Sequence, residues 1–180
     1  MKTGQIILIG FLIRAIVSFW NGFYGPSLGA ENDAASFHLA ALEYGQIQAF
    51  YKTQITQVYP FILGTLYNLI SDSLFFGSIL SSIAWLTSAA FLLKTCETLN
   101  IKSERKIAFI IFSLYPSSVM FTSVTLREAY QLLSVTCAIY AIIKIYYKNG
   151  FSYWAALVLS VIGMGALHGG LLVFGVYLLV

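Results

Sequence analysis

Asp33, Arg127 and Glu128 are the residues whose types and positions could carry chemistry. Asp33 lies in a polar segment between two apolar stretches. A carboxylate there could act as general base toward an acceptor hydroxyl, or hold a divalent ion near a phosphate. It could equally cap the helix that follows, the commoner duty of an Asp at such a position. Glu31, two residues earlier, offers a second carboxylate, although a solvated loop charge is its more ordinary role.

Arg127 and Glu128 are adjacent and follow an uncharged run over residues 107–126. Charges at a turn between apolar helices commonly only mark a membrane interface. The sharper reading pairs Arg127 with a phosphate oxygen, because a guanidinium offers a fixed fork of donors and stays charged. Glu128 would then face Asp33 across a shared site. Local sequence leaves both readings open.

Arg14 sits near the middle of the first apolar stretch, where an ionisable group costs about 2.5–3.5 kcal/mol on insertion scales. Such residues usually face a bundle interior with a partner, so a structural ion pair is the expected role and contact with a substrate phosphate the alternative. His38 and His168 are the only histidines. His168 stands beside Gly169-Gly170, a pair able to break a helix and expose backbone. A lone histidine in an apolar run is more often a packing residue than a phosphate-binding one. No Glu-x-x-His, His-Glu-x-x-His, Cys-x-x-Cys or phosphate-loop pattern occurs, and Cys96 and Cys137 are expected to be free thiols.

These residues need elements to position them, and composition says what kind. Of the 180 residues, 59% are apolar and 9% charged, against about a quarter charged in soluble domains. No charge falls within 74–93, 107–126 or 151–180, and each gap can hold the roughly 20 residues that cross a bilayer. Backbone in lipid must pair internally, and the short alternating segments of a barrel are absent, so helices are expected. The predicted fold is an all-α, polytopic transmembrane bundle of about five to six spans. A net charge of +3, dispersed along the chain, gives no reason to expect nucleic acid.

The start resembles a secretion signal, but Arg14 interrupts its apolar run and no small-residue cleavage pattern follows, so a retained first span is expected. The predicted spans cover 4–22, 74–93, 107–126, 129–147 and 152–168. With the amino terminus inside, Lys2, Lys94, Lys102, Arg105, Lys106, Lys144 and Lys148 all become cytoplasmic, as the positive-inside rule asks. Outside lie Lys52 and Arg127 with Glu31, Asp33, Glu43, Asp72 and Glu128. Residues 23–57 form an outer loop, in which Asn32 or Asp33 caps a surface helix from Ala34 to about Phe50, with Phe37, Ala41 and Tyr44 on one face. The apolar stretch 60–70 would rise only about 16 Å, half of the hydrocarbon thickness, and is expected to be juxtamembrane. The apolar run reaching Val180 suggests one incomplete transmembrane domain of a longer parent over 1–180.

The run Gly29-Ala30-Glu31-Asn32-Asp33 through Phe37-His38 and Ala40-Ala41, then Tyr59-Pro60, then Leu114-Tyr115-Pro116-Ser117-Ser118 leading to Leu126-Arg127-Glu128-Ala129, resembles bacterial membrane glycosyltransferases of the GT-C superfamily. Protein O-mannosyltransferases and aminoarabinose transferases belong to that group. The resemblance implies an essential acid in the first outer loop, matched by Asp33, juxtamembrane helices at 34–50 and 60–70, and a second outer acid, for which Glu128 is the candidate. The chain departs from that pattern by lacking an Asp-Glu pair in the first loop and an Asp-x-Asp in the second, which leaves dependence on a divalent cation open. The implied activity is transfer of a sugar from a polyprenyl phosphate donor to an acceptor at the outer face of a bacterial cytoplasmic membrane. Asp33 would be the base, and Arg127 with His168 would offset phosphate charge. The alternatives are a polysaccharide polymerase or ligase, a transporter or flippase, and an assembly subunit without a site.

Overall fold

The computed structural model describes residues 2–25, 31–44, 58–102 and 104–178, with the side chain of Glu31 left out. Among them all the regular secondary structure is helical. The elements are α1 (Thr3–Tyr24), α2 (Glu31–Tyr44), α3 (Val58–Leu69), α4 (Leu74–Thr98), α5 (Arg105–Leu114), α6 (Pro116–Thr122), α7 (Glu128–Lys148), α8 (Phe151–Leu167) and α9 (Gly169–Tyr177).

Three of these, α1, α4 and α7, are long and apolar enough to cross a membrane. The other two charge-free gaps give shorter pieces. α8 has 17 residues, a rise of about 25 Å. The span expected over 107–126 is two helices, because Pro116 lacks an amide hydrogen and pushes Tyr115 into extended geometry, φ −62° and ψ 121°. Pro116 then opens α6, a position that its fixed φ suits.

The surface helix also begins earlier than expected. Asn32 and Asp33 lie inside the first turn of α2 and do not precede it, since the helix starts at Glu31. Acids in a first turn still complement the positive end of the helix dipole. Lys52, Gly29, Ala30 and the remainder of the expected helix, 45–50, lie outside the described residues. α3 matches the expected short helix closely.

α1 and α4 pack antiparallel through small and hydroxylated side chains, which let two backbones approach without relying on hydrophobic burial. Asn21 Nδ2 donates to Ser78 Oγ at 2.7 Å, and Ser18 Oγ lies 2.9 Å from Ser82 Oγ. Gly22 faces Phe75, with no room between them for a Cβ. α7 runs parallel to α4, with the Phe91 and Tyr140 rings 5.5 Å apart, and α8 returns antiparallel to α7. The apolar cores follow these pairings. Ile6, Trp85, Ala89 and Phe109 fill one, and Ala138, Ala141, Leu157, Val161 and Met164 fill another.

Candidate functional site

The site begins from a polar seam at one end of the bundle. Residues 123–126, between α6 and α7, are non-helical, and their backbone groups need partners wherever water is excluded. α1 and α4 supply them. Ser18 Oγ donates to the Ser123 carbonyl at 2.8 Å, Thr125 Oγ1 donates to the Leu74 carbonyl at 3.3 Å, and Ser78 Oγ lies 3.2 Å from Thr125 Oγ1. Ser123, Val124, Thr125 and Leu126 are all buried. The seam therefore fixes the residues that immediately precede Arg127.

Arg127 caps α7, and its Nη1 donates to the Leu167 carbonyl at 3.3 Å, at the end of α8. Its guanidinium carbon stands 5.7 Å from the Phe37 ring of α2. α2 reaches this point because Ala34 packs against Val124 and Leu126. Asp33, exposed, precedes Ala34 on that same turn. Glu128 occupies the first turn of α7, where a carboxylate suits the helix dipole.

Below this mouth α3 lays Tyr59, Leu63 and Tyr67, one helical face, against Phe37 and Ala41 of α2, Phe76 and Leu80 of α4, and Tyr130 of α7. Four polar atoms near the start of α7 are buried without a hydrogen-bond partner among the described residues: Arg127 Nε, Glu128 Oε2, Gln131 Nε2 and Tyr59 Oη. An unpaired buried polar group costs about 1–3 kcal/mol, so these atoms are candidates for contact with a bound group.

Two cavities at this end share the wall residues Ala166 and Leu167. One, of about 180 Å³, is a mainly apolar groove between α3, α7 and α8, lined by Ile62, Leu63, Leu66, Leu133 and the rings of Tyr59 and Tyr130. The other, of about 390 Å³, is lined by Arg127, His168, Gly169 and Leu172. His168 interrupts the helix as its glycine neighbours suggested. It has extended backbone, φ −160°, and its Nδ1 accepts from the Gly170 amide at 3.1 Å, capping α9.

The structure thus brings Arg127 and His168 to one cleft, with Glu128 and the Asp33 turn beside it. Arg14 does not belong there. It is fully buried in the bundle, its Nε donates to Thr122 Oγ1 at 2.7 Å, and its Nη1 donates to the Ser113 and Gly10 carbonyls at 2.8 and 3.0 Å. The Trp85 ring closes the remaining side. No carboxylate is among these partners, so neutral dipoles and a ring face replace the expected ion pair.

His38, half-buried on α2, sits 2.9 Å from Tyr67 Oη through Nδ1. Burial pushes its imidazole below its ordinary value, against a smaller upward pull from the Asp72 carboxylate. Cys96 and Cys137 are free thiols. Among the described residues no three His, Cys, Asp or Glu side chains gather to hold a metal ion. Tyr130 and Gln131 were not singled out by sequence, and Tyr59 entered only as part of the Tyr59-Pro60 pair. Only the spacing of Gln131 from Arg127, one turn along the same helix face, carried a signal.

The chain matches no protein-family model, no curated protein and no solved structure.

Proposed function

We propose that this chain belongs to a membrane glycosyltransferase that uses a polyprenyl-phosphate-linked sugar. The observation that carries the reading is that an apolar groove and a cleft bearing Arg127 and His168 share the wall residues Ala166 and Leu167. An amphiphile with a long apolar chain and a phosphate matches that pair in both halves. The polyprenyl chain lies against α3, α7 and α8, and the phosphate meets the Arg127 guanidinium, whose Nε has no hydrogen-bond partner among the described residues.

On this reading α5 with α6, and α8, complete further crossings beside α1, α4 and α7. The end carrying Lys2, Lys94, Lys102, Arg105, Lys106, Lys144 and Lys148 is cytoplasmic, and the Asp33 end faces outward. Asp33 accepts the proton of the acceptor hydroxyl as its oxygen attacks the anomeric carbon. The carbon–oxygen bond to phosphate breaks, and polyprenyl phosphate leaves with its charge offset by Arg127 and His168. Glu128 orients the sugar hydroxyls. Positioning and electrostatics supply most of the rate.

The test is sugar transfer from a labelled polyprenyl phosphate sugar by the intact protein in membranes. Asp33→Asn is expected to lower transfer by roughly 100-fold or more while leaving donor binding in place. Arg127→Gln is expected to weaken donor binding itself. Full transfer by Asp33→Asn would remove the assigned base. Unchanged donor binding by Arg127→Gln would remove the phosphate site and favour an assembly role.

A further inference from the structure

At the opposite end of the bundle lies a second cleft, of about 430 Å³, where the start of α1, the end of α4 and the start of α5 converge. Lys2, Lys102, Arg105 and Lys106 line it, against one lining carboxylate, Glu97. Thr3 also lines it. This residue is more than nine-tenths buried.

The placement of these cations runs against local electrostatics. Arg105 and Lys106 occupy the first turn of α5, directly after Glu104 at its N-cap, and Lys2 caps α1, both at the positive ends of helix dipoles. Four cations around one cavity, against one lining carboxylate, leave an excess of positive charge that favours an anion.

The surroundings say which anion. α1 and α4, whose ends form two walls, are long and apolar enough to cross a membrane. Just beyond the basic turn, Ile107, Ile110 and Ile111 of α5 and Leu8 of α1 are exposed. A soluble anion has no use for that apolar wall, whereas acyl chains do.

We infer that this cleft binds the phosphate headgroup of an anionic phospholipid, with its acyl chains lying along the exposed faces of α5 and α1. The phosphodiester sits among Lys102, Arg105, Lys106 and Lys2 and accepts a hydrogen bond from the Thr3 hydroxyl. The site is independent of the Asp33 end and requires no transferase activity.

The test is native mass spectrometry of the full chain released from nanodiscs of phosphatidylcholine containing phosphatidylglycerol. The wild-type chain is expected to retain phosphatidylglycerol over phosphatidylcholine, and the triple variant Lys102→Gln, Arg105→Gln, Lys106→Gln to hold it roughly 100-fold more weakly. Lys144→Gln with Lys148→Gln removes cations from the end of α7, outside the cleft, and is expected to leave retention unchanged. Equal loss in that control shows diffuse charge attraction and overturns the site, as does undiminished retention by the triple variant. Inorganic phosphate displacing the lipid at matched concentration shows a soluble-phosphate site and overturns the lipid assignment. Should the triple variant lose helix content, Lys102→Gln and Lys106→Gln decide singly, since both side chains are exposed. Each is expected to weaken retention by roughly fivefold, and no change in either overturns the proposal.

Discussion

The guanidinium carbon of Arg14 lies 3.7 Å from the centroid of the Trp85 ring, so a charge at the middle of α1 faces the π-cloud of α4. The cost of placing an arginine at such depth is about 2.5–3.5 kcal/mol on insertion scales. Hydrogen bonds from a charged group contribute about 1.5–3 kcal/mol each. Arg14 makes four, including Nη2 to Ser118 Oγ at 3.1 Å, and a desolvated cation over an indole adds about 2 kcal/mol. Arg14 acts as a clamp that joins α1, α5 and α6.

Arg14→Leu is therefore expected to destabilise the fold by about 3 kcal/mol, because buried acceptors on Thr122 and Ser113 lose their donor. Arg14→Lys is expected to recover only part of this, since an ammonium lacks the fork that reaches Thr122 and Ser118 together. Thermal unfolding in detergent measures both. A leucine variant as stable as wild type would show that the clamp is not structural.

The clamp also depends on Pro116. Breaking the helix after Leu114 leaves the Ser113 carbonyl without its amide partner four residues on, and Arg14 takes it at 2.8 Å. Pro116→Ala lets α5 continue and withdraws that carbonyl. Single and double variants with Arg14→Leu are expected to show a coupling of about 1–2 kcal/mol. Additive effects would mean that the break and the arginine are unrelated.

Gly22 reports on the α1 and α4 crossing. A Cβ there would fall 2.6 Å from Phe75 Cα, where backbone cannot yield cheaply. Gly22→Ala is expected to separate the helices at the Ser78 end and destabilise by about 1–3 kcal/mol. Disulfide trapping between cysteines placed on α1 and α4 should slow accordingly. An unchanged trapping rate together with wild-type stability contradicts the close approach.

His38 gives the docking of α2 a pH dependence. Its folded-state value lies below the ordinary one of about 6.5, because burial disfavours the imidazolium more than Asp72 favours it. The stability that neutral His38 contributes is complete above about pH 6.5 and is lost as pH falls through the lower folded-state value. Unfolding midpoints should drop between pH 7 and 5 more steeply in wild type than in His38→Gln. Parallel curves would rule out His38 as the responsible group.

The helical class, the ends of α1 and the start of α4 were legible in the residues themselves, because hydrophobic length and charge placement act locally; α4 runs on to Thr98, past the expected end at 93. Grouping Lys2, Lys102, Arg105 and Lys106 at one end followed from the same counting, and so did setting Asp33 and Arg127 at the other. The break at Pro116 was visible as a residue but was outweighed by the long uncharged run around it. What only the tertiary structure decided was partnership. Arg14 meets Thr122 and Ser113, more than ninety positions away, and Arg127 meets Leu167 and Phe37. The shared wall of the two cavities exists only once α3, α7 and α8 are packed. Such contacts arise from how helix faces interlock after each helix has formed, and no local pattern of residue types encodes which distant carbonyl or ring a side chain will reach.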